Sequence, residues 1–151
     1  MTEEIKIRID NYKDVEKKLK ELGAVFDKKI DVKDTYFDKS EEEVLKVTED
    51  DTGDYLVNLK SKNGKFEIEM YKEIKKPELM KKKLKKKFGV KCVLKKKRIF
   101  YDWREYKVNF NLIDNVGDFI VIEGENLDRE ETAEQLQIEN PEYITVPFSD
   151  L

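Results

Sequence analysis

The chain opens with a stretch, EIKIRI, in which Ile5, Ile7 and Ile9 alternate with Glu4, Lys6 and Arg8. An extended strand with that period places three β-branched residues on one side and three charges on the other. The alternation recurs along the sequence. Leu45 and Val47 stand against Lys46 and Thr48, Val57 and Leu59 against Asn58 and Lys60, and Phe66, Ile68 and Met70 against Glu67 and Glu69. Further on, Val108, Phe110 and Leu112 oppose Asn109 and Asn111, and Ile120 and Ile122 oppose Glu123. Residues 31–38 and 92–102 also read as strands, although Lys95 and Lys97 give the second of these two polar faces. Asn63-Gly64 between two alternating runs signals a hairpin.

Helical spacing appears three times. Val15, Leu19 and Leu22 form one apolar stripe, with Asp10 or Asn11 as cap and Gly23 as stop. Met80, Leu84 and Phe88 form a second, behind Pro77 and ahead of Gly89. A short helix is expected around residues 128–138. Eight strands and about three helices in one domain over residues 1–151 point to an α+β antiparallel architecture. Grouping the polar positions gathers Lys6, Arg8, Lys46, Lys60, Lys96 and Arg98 with Glu4, Glu67, Glu69 and Glu123 on one sheet surface. Two packings satisfy this pattern. An open sheet would leave that surface in water, and a sheet curled into a barrel would turn it inward.

Composition narrows the chemistry. Charged residues make up 43% of the chain, yet the net charge is only −3, so both signs are heavily used. This argues against a generally basic nucleic-acid binder. There is no histidine, which excludes Ser-His and Cys-His nucleophiles and the usual zinc sites. Cys92 stands alone and reads as a small buried apolar residue in a reducing, cytoplasmic setting. No apolar run is long enough to span a bilayer, and the acidic N-terminus is not expected to be a signal peptide.

Read in order, several stretches resemble the CYTH superfamily of triphosphate tunnel metalloenzymes, which includes class IV adenylyl cyclases and thiamine triphosphatases. Glu4 and Lys6 fit the end of its opening Glu-x-Glu-x-Lys strand, and DTYFD its Asp-x-Tyr-Phe segment. VLKVT, VNLKSK, KFEIEM, KKKRIFY and NLIDNVGDFIVIEGE follow as its later strands do, and YITVPFSDL is similar to its closing segment. The resemblance runs almost end to end. It implies an eight-stranded antiparallel barrel, or tunnel, whose charged interior binds a nucleotide or another triphosphate or polyphosphate. Thr2, Thr48, Asn111 and Val121 depart from the pattern, in which carboxylates stand at positions 2, 111 and 121 and an arginine at 48.

The resemblance also implies roles. Lys6, Arg8, Lys46, Lys60, Lys96 and Arg98 would bind phosphate, because a triphosphate concentrates negative charge that only a set of cations can balance. Glu4, Glu123 and Asn111 would offer oxygens to Mg²⁺ or Mn²⁺, and Glu4, Glu67 and Glu69 would serve catalysis. Hydrolysis of an organic triphosphate or tripolyphosphate is the expected activity, with adenylyl cyclase chemistry behind it. The alternatives are a polyphosphate-binding protein without turnover, and a polyanion-binding module using the lysines of residues 81–87, for which nucleic acid is the less expected partner.

Overall fold

The computed structural model describes every residue except Met1 and Gly64, and the backbone but not the side chain of Lys65. Its elements run β1 (Glu3–Ile9), α1 (Tyr12–Glu21), β2 (Val25–Phe37), β3 (Glu43–Asp50), β4 (Gly53–Lys62), β5 (Lys65–Glu73), α2 (Pro77–Phe88), β6 (Val90–Trp103), β7 (Tyr106–Ile113), β8 (Gly117–Gly124), α3 (Arg129–Gln135) and β9 (Glu142–Tyr143), with a 3-10 turn at Phe148–Asp150. Three helices and an antiparallel sheet agree with the α+β expectation. The strands pair in the order β5-β4-β3-β2-β6-β7-β8-β1-β9, which corrects the expected closed barrel of eight. The additional strand is β9, whose two residues pair with Ile7 and Arg8. It occupies the second edge of β1 and is too short to extend the ladder. Among the described residues, no helix is long and apolar enough to cross a membrane.

The chain divides into two compact units, and β2 and β6 run through both. The first comprises Met1–Ile30 with Lys96–Val146. Its core takes Ile5, Ile7 and Ile9 from β1, Ile99 and Tyr101 from β6, Val108 and Phe110 from β7, and Ile120 and Ile122 from β8. These are the apolar members of each alternating pair. Val15 and Leu19 of α1 close over them, and each such side chain contributes about 1.5–3 kcal/mol on burial. Asn11 caps α1 by accepting from the Lys13 amide at 3.1 Å, and Gly23, at φ +95°, ends it. The Asn/Gly bracket read from sequence is the one observed.

The second unit comprises Asp31–Lys95 with Pro147–Leu151. Here Phe37, Leu45, Val47 and Leu56 form the core, covered by Met80, Leu84 and Phe88 of α2 and by Ile74. The Pro77 start and Gly89 stop of α2 match expectation. Gly64 of the expected Asn-Gly hairpin lies outside the described residues, while Lys62 and Lys65 on either side of the turn pair as a hairpin requires. Cys92 is partly buried, and burial pushes its thiol above the ordinary range, so little thiolate is present at neutral pH.

Candidate functional site

Residues directly opposite in an antiparallel ladder share a face, so the register maps the polar surface row by row. In the first unit Glu4 faces Glu123, which faces Lys107, which faces Asp102. The next row is Lys6, Val121, Asn109 and Phe100. The one after is Arg8, Phe119, Asn111 and Arg98, and Lys96 stands beside Arg98 in the fourth, opposite Ile113. All six site residues expected in this unit, with Asn111, thus lie on one face. Lys6 and Arg8 belong to β1 and Arg98 and Lys96 to β6. Between them runs a floor of Val121, Phe119, Asn109 and Asn111, all buried.

That floor is organised by hydrogen bonds. Asn109 Oδ1 accepts from Arg98 Nη2 at 3.3 Å and also from Asn111 Nδ2. Arg98 lies over the Phe100 ring, its Cζ 4.8 Å from the ring centroid. Arg8 is held differently. It donates through Nη1 to the Val116 carbonyl at 2.9 Å, pairs through Nε with Glu142 at 3.0 Å and stacks on Phe119 at 4.8 Å. Gly117 leaves the room for this, since a Cβ there would lie 2.6 Å from Arg8 Nη1. Lys6 Nζ reaches the Val146 carbonyl at 3.5 Å.

Glu123 is half-buried, and burial raises its carboxyl above the ordinary range. The Glu4 carboxylate opposite raises it further and Arg98 lowers it. Two carboxylates facing each other in this way favour a cation between them. A single hard ion suits them if phosphate and water supply its remaining oxygens. Among the described residues no group of three acidic, histidine or cysteine side chains could hold a metal. Asn111 spends its amide N–H on Asn109, which leaves its own Oδ1 as a neutral oxygen near the floor.

In the second unit the register divides what the sequence grouped together. Lys46 pairs with Tyr36 and Val57, while Lys60 pairs with Glu43 and Glu67. Lys46 and Glu43 are three residues apart on one strand, so Lys46 and Lys60 point to opposite faces. The cause is the two-residue turn Asp51-Thr52, which pairs Asp50 with Gly53 and thereby sets even-numbered residues against odd. On β5 the register shifts opposite Asn58 and Leu59, leaving Glu69 as an unpaired bulge residue and placing Ile68 and Met70 on different faces. Glu67 is exposed and lies 3.6 Å from Lys62. The pairing therefore separates Lys60 and Glu67 from Lys46, and the expected single polar surface is corrected here.

The face that carries Lys46 contains a group the sequence reading passed over. Asp34 is fully buried. Its Oδ1 accepts from Thr48 Oγ1 at 2.5 Å, and its Oδ2 lies 3.4 Å from Lys46 Nζ and 3.5 Å from the Tyr36 hydroxyl. Thr48, where the resemblance expects an arginine, is thus the donor that satisfies this carboxylate. The signal was present in DTYFD opposite VLKVT, two strands whose alternate residues meet in register. Asn109 was equally legible as a polar residue on the face of a half-buried arginine, Arg98.

Comparison with known proteins follows the same lines. No curated protein sequence matches the chain significantly. Among solved structures, the PH1012 protein of Pyrococcus horikoshii OT3 is similar over 100% of this chain and 99% of its own, with a TM-score of 0.84 and 24% identity. A conserved hypothetical protein of Pyrococcus furiosus gives 0.84 and 21%, again over 100% of this chain and 99% of that one. HpAC1 of Hippeastrum, described as a candidate adenylyl cyclase with a dominant triphosphatase activity, gives 0.61 and 16% over 91% and 85%. These likenesses show a shared fold. The family model for the CYTH domain matches residues 1–145, and the chain belongs to the CYTH family.

Proposed function

We propose that this protein binds a triphosphate or polyphosphate on the polar face of its first unit and hydrolyses an organic triphosphate or tripolyphosphate there. The observation that carries the reading is the register that brings Lys6, Arg98 and Lys96 onto the same face as the opposed Glu4–Glu123 pair. Side chains of opposite charge on one wall suit a ligand that is itself highly anionic and travels with a cation. Arg98, with Nη2 bonded to Asn109 and its Cζ over the Phe100 ring, is preorganised to donate to a phosphoryl oxygen. Lys6 supplies a point charge from β1. Arg8 shapes the β1 edge through Val116 and Glu142, with guanidinium donors to spare. The second unit's Lys46, held by Asp34, and its Lys60, Glu67 and Glu69 form no part of the proposed site.

Glu4 and Glu123 would hold Mg²⁺ or Mn²⁺ together with the ligand's oxygens. The bound ion would polarise the phosphoryl group. The chain's own contribution is to place the phosphate chain along that face through Lys6, Lys96 and Arg98. A second reading is a binder without turnover. It is favoured by one observation, the engagement of Asn111 with Asn109 instead of a carboxylate at that position.

Calorimetric titration of tripolyphosphate with and without Mg²⁺ or Mn²⁺, run beside an assay for orthophosphate, separates the two. Binding with metal-dependent release, abolished in Glu4→Gln and Glu123→Gln, supports hydrolysis. Binding without release supports the second reading. Absence of binding under both conditions defeats both.

A further inference from the structure

The strongest charge segregation in the molecule lies outside the site just described. Residues 75–95 carry ten lysines (75, 76, 81, 82, 83, 85, 86, 87, 91 and 95) and a single acid, Glu78, within a chain whose net charge is −3. Eight of the ten sit on or immediately before α2 and Gly89. Among the described residues, Lys81 pairs with Glu49 at 2.7 Å and Glu78 at 2.8 Å, and Lys91, beyond the helix, pairs with Asp150. Among the described residues, no carboxylate lies within ion-pairing distance of Lys82, Lys83, Lys85, Lys86 or Lys87, and all five are exposed. Lysines at i,i+3 and i,i+4 along a helix repel one another, by about 0.2–0.5 kcal/mol per pair. The fold tolerates that repulsion without placing acids among them, as a mixed-charge surface would.

We infer that the solvent-facing side of α2 is a docking rail for the phosphate backbone of a nucleic-acid duplex, recognised without regard to sequence. The charge is complementary and arrayed on a rigid element. At 1.5 Å per residue, its twelve residues give a rail about 18 Å long. Lys82 and Lys86 project from successive turns on the side away from Met80, Leu84 and Phe88, and Lys83 flanks them. Lysine offers a point charge without the fork that reads base edges, so the contact is to phosphate. Two other polyanionic partners fit less well. The apolar stripe an interfacial helix would sink into a bilayer is already used against Phe37, Leu45, Val47 and Leu56. Stacking of single-stranded bases needs exposed aromatic rings between the cations, and Phe88, the one aromatic residue in α2, belongs to that same apolar stripe.

The test is fluorescence anisotropy of the full chain with a labelled, mixed-sequence DNA duplex of about two helical turns. With about four phosphates neutralised, affinity should fall roughly 150-fold between about 50 and 200 mM salt. The triple variant Lys82→Gln/Lys83→Gln/Lys86→Gln should bind at least about tenfold more weakly at the lower salt, with a log–log slope shallower by about 2.7. Circular dichroism should show the variant folded, since it removes like-charge pairs, and the wild-type salt slope stands as a test that needs no variant. No duplex binding at low salt, or equal binding by the variant, overturns the inference. Tighter binding to phosphatidylserine vesicles or to a single strand of equal length overturns the choice of partner.

Discussion

Replacing Thr48 with valine removes one hydroxyl and keeps the shape of the side chain. In the folded protein that hydroxyl donates to Asp34 Oδ1 at 2.5 Å, and Asp34 is completely buried. A hydrogen bond to an ionised group contributes about 1.5–3 kcal/mol, and the loss is felt in full where water cannot replace it. Lys46 Nζ at 3.4 Å and the Tyr36 hydroxyl at 3.5 Å both reach the other oxygen, Oδ2. For 151 residues, unfolding entropy near 2.1 cal/mol/K per residue converts this to a fall in Tm of about 5–9 °C. Thermal unfolding followed by circular dichroism measures it. A double-mutant cycle with Asp34→Asn isolates the pair, and a coupling of about 1 kcal/mol or more is expected because the two side chains touch. If Thr48→Val melts within a degree of wild type, the carboxylate is satisfied some other way and the account of how Lys46 is positioned fails.

Three further outcomes follow from named contacts. Glu123 has its carboxyl raised by burial and by Glu4, so the unfolded chain ionises first. Below the ordinary value of 4.5 the group is protonated in both states; as pH rises past it, wild type loses stability until the folded group also ionises. Urea unfolding should therefore show Glu123→Gln gaining on wild type from acid pH to neutrality, and parallel pH profiles would contradict this. Gly117→Ala puts a Cβ 2.6 Å from Arg8 Nη1 at a φ of +141°, and should cost about 1–3 kcal/mol in chemical denaturation. An unchanged midpoint would show that Arg8 is not held there. Ile7→Ala empties a fully buried position between α1 and the sheet, with an expected loss of about 2–5 kcal/mol by the same assay; a loss under 1 kcal/mol would place that core elsewhere.

How much of this was legible depended on register more than on alternation. In β1, β6, β7 and β8 the ladders run without interruption, so assigning Ile7 to the core also assigned Lys6 and Arg8 to the other face, and the expected polar row emerged. In β3 and β4 each strand alternated as expected, yet the shared faces were misassigned, and in β5 the alternation itself is broken between Ile68 and Met70. A two-residue turn between Asp50 and Gly53 and a bulge at Glu69 each change the pairing by one residue, and one residue exchanges faces. The turn was readable in EDDTGD; the bulge had no local signature. Helix ends were legible because their chemistry is local: Asn11 for α1, Pro77 and Gly89 for α2. The ninth strand was not, because Glu142 and Tyr143 pair with β1 without any alternation of their own.

The central claim is that the polar face of the first unit holds a polyphosphate through cations drawn from β1 and β6. Calorimetric titration of tripolyphosphate into wild type, Lys6→Gln, Arg98→Gln and, as a control on α1, Lys20→Gln tests it most directly. Each lost charge-assisted contact should weaken binding by about 1.5–3 kcal/mol, roughly 10- to 150-fold, for Lys6→Gln and Arg98→Gln, with the control unchanged. Four proteins binding alike, or a wild type that does not bind, would contradict the account.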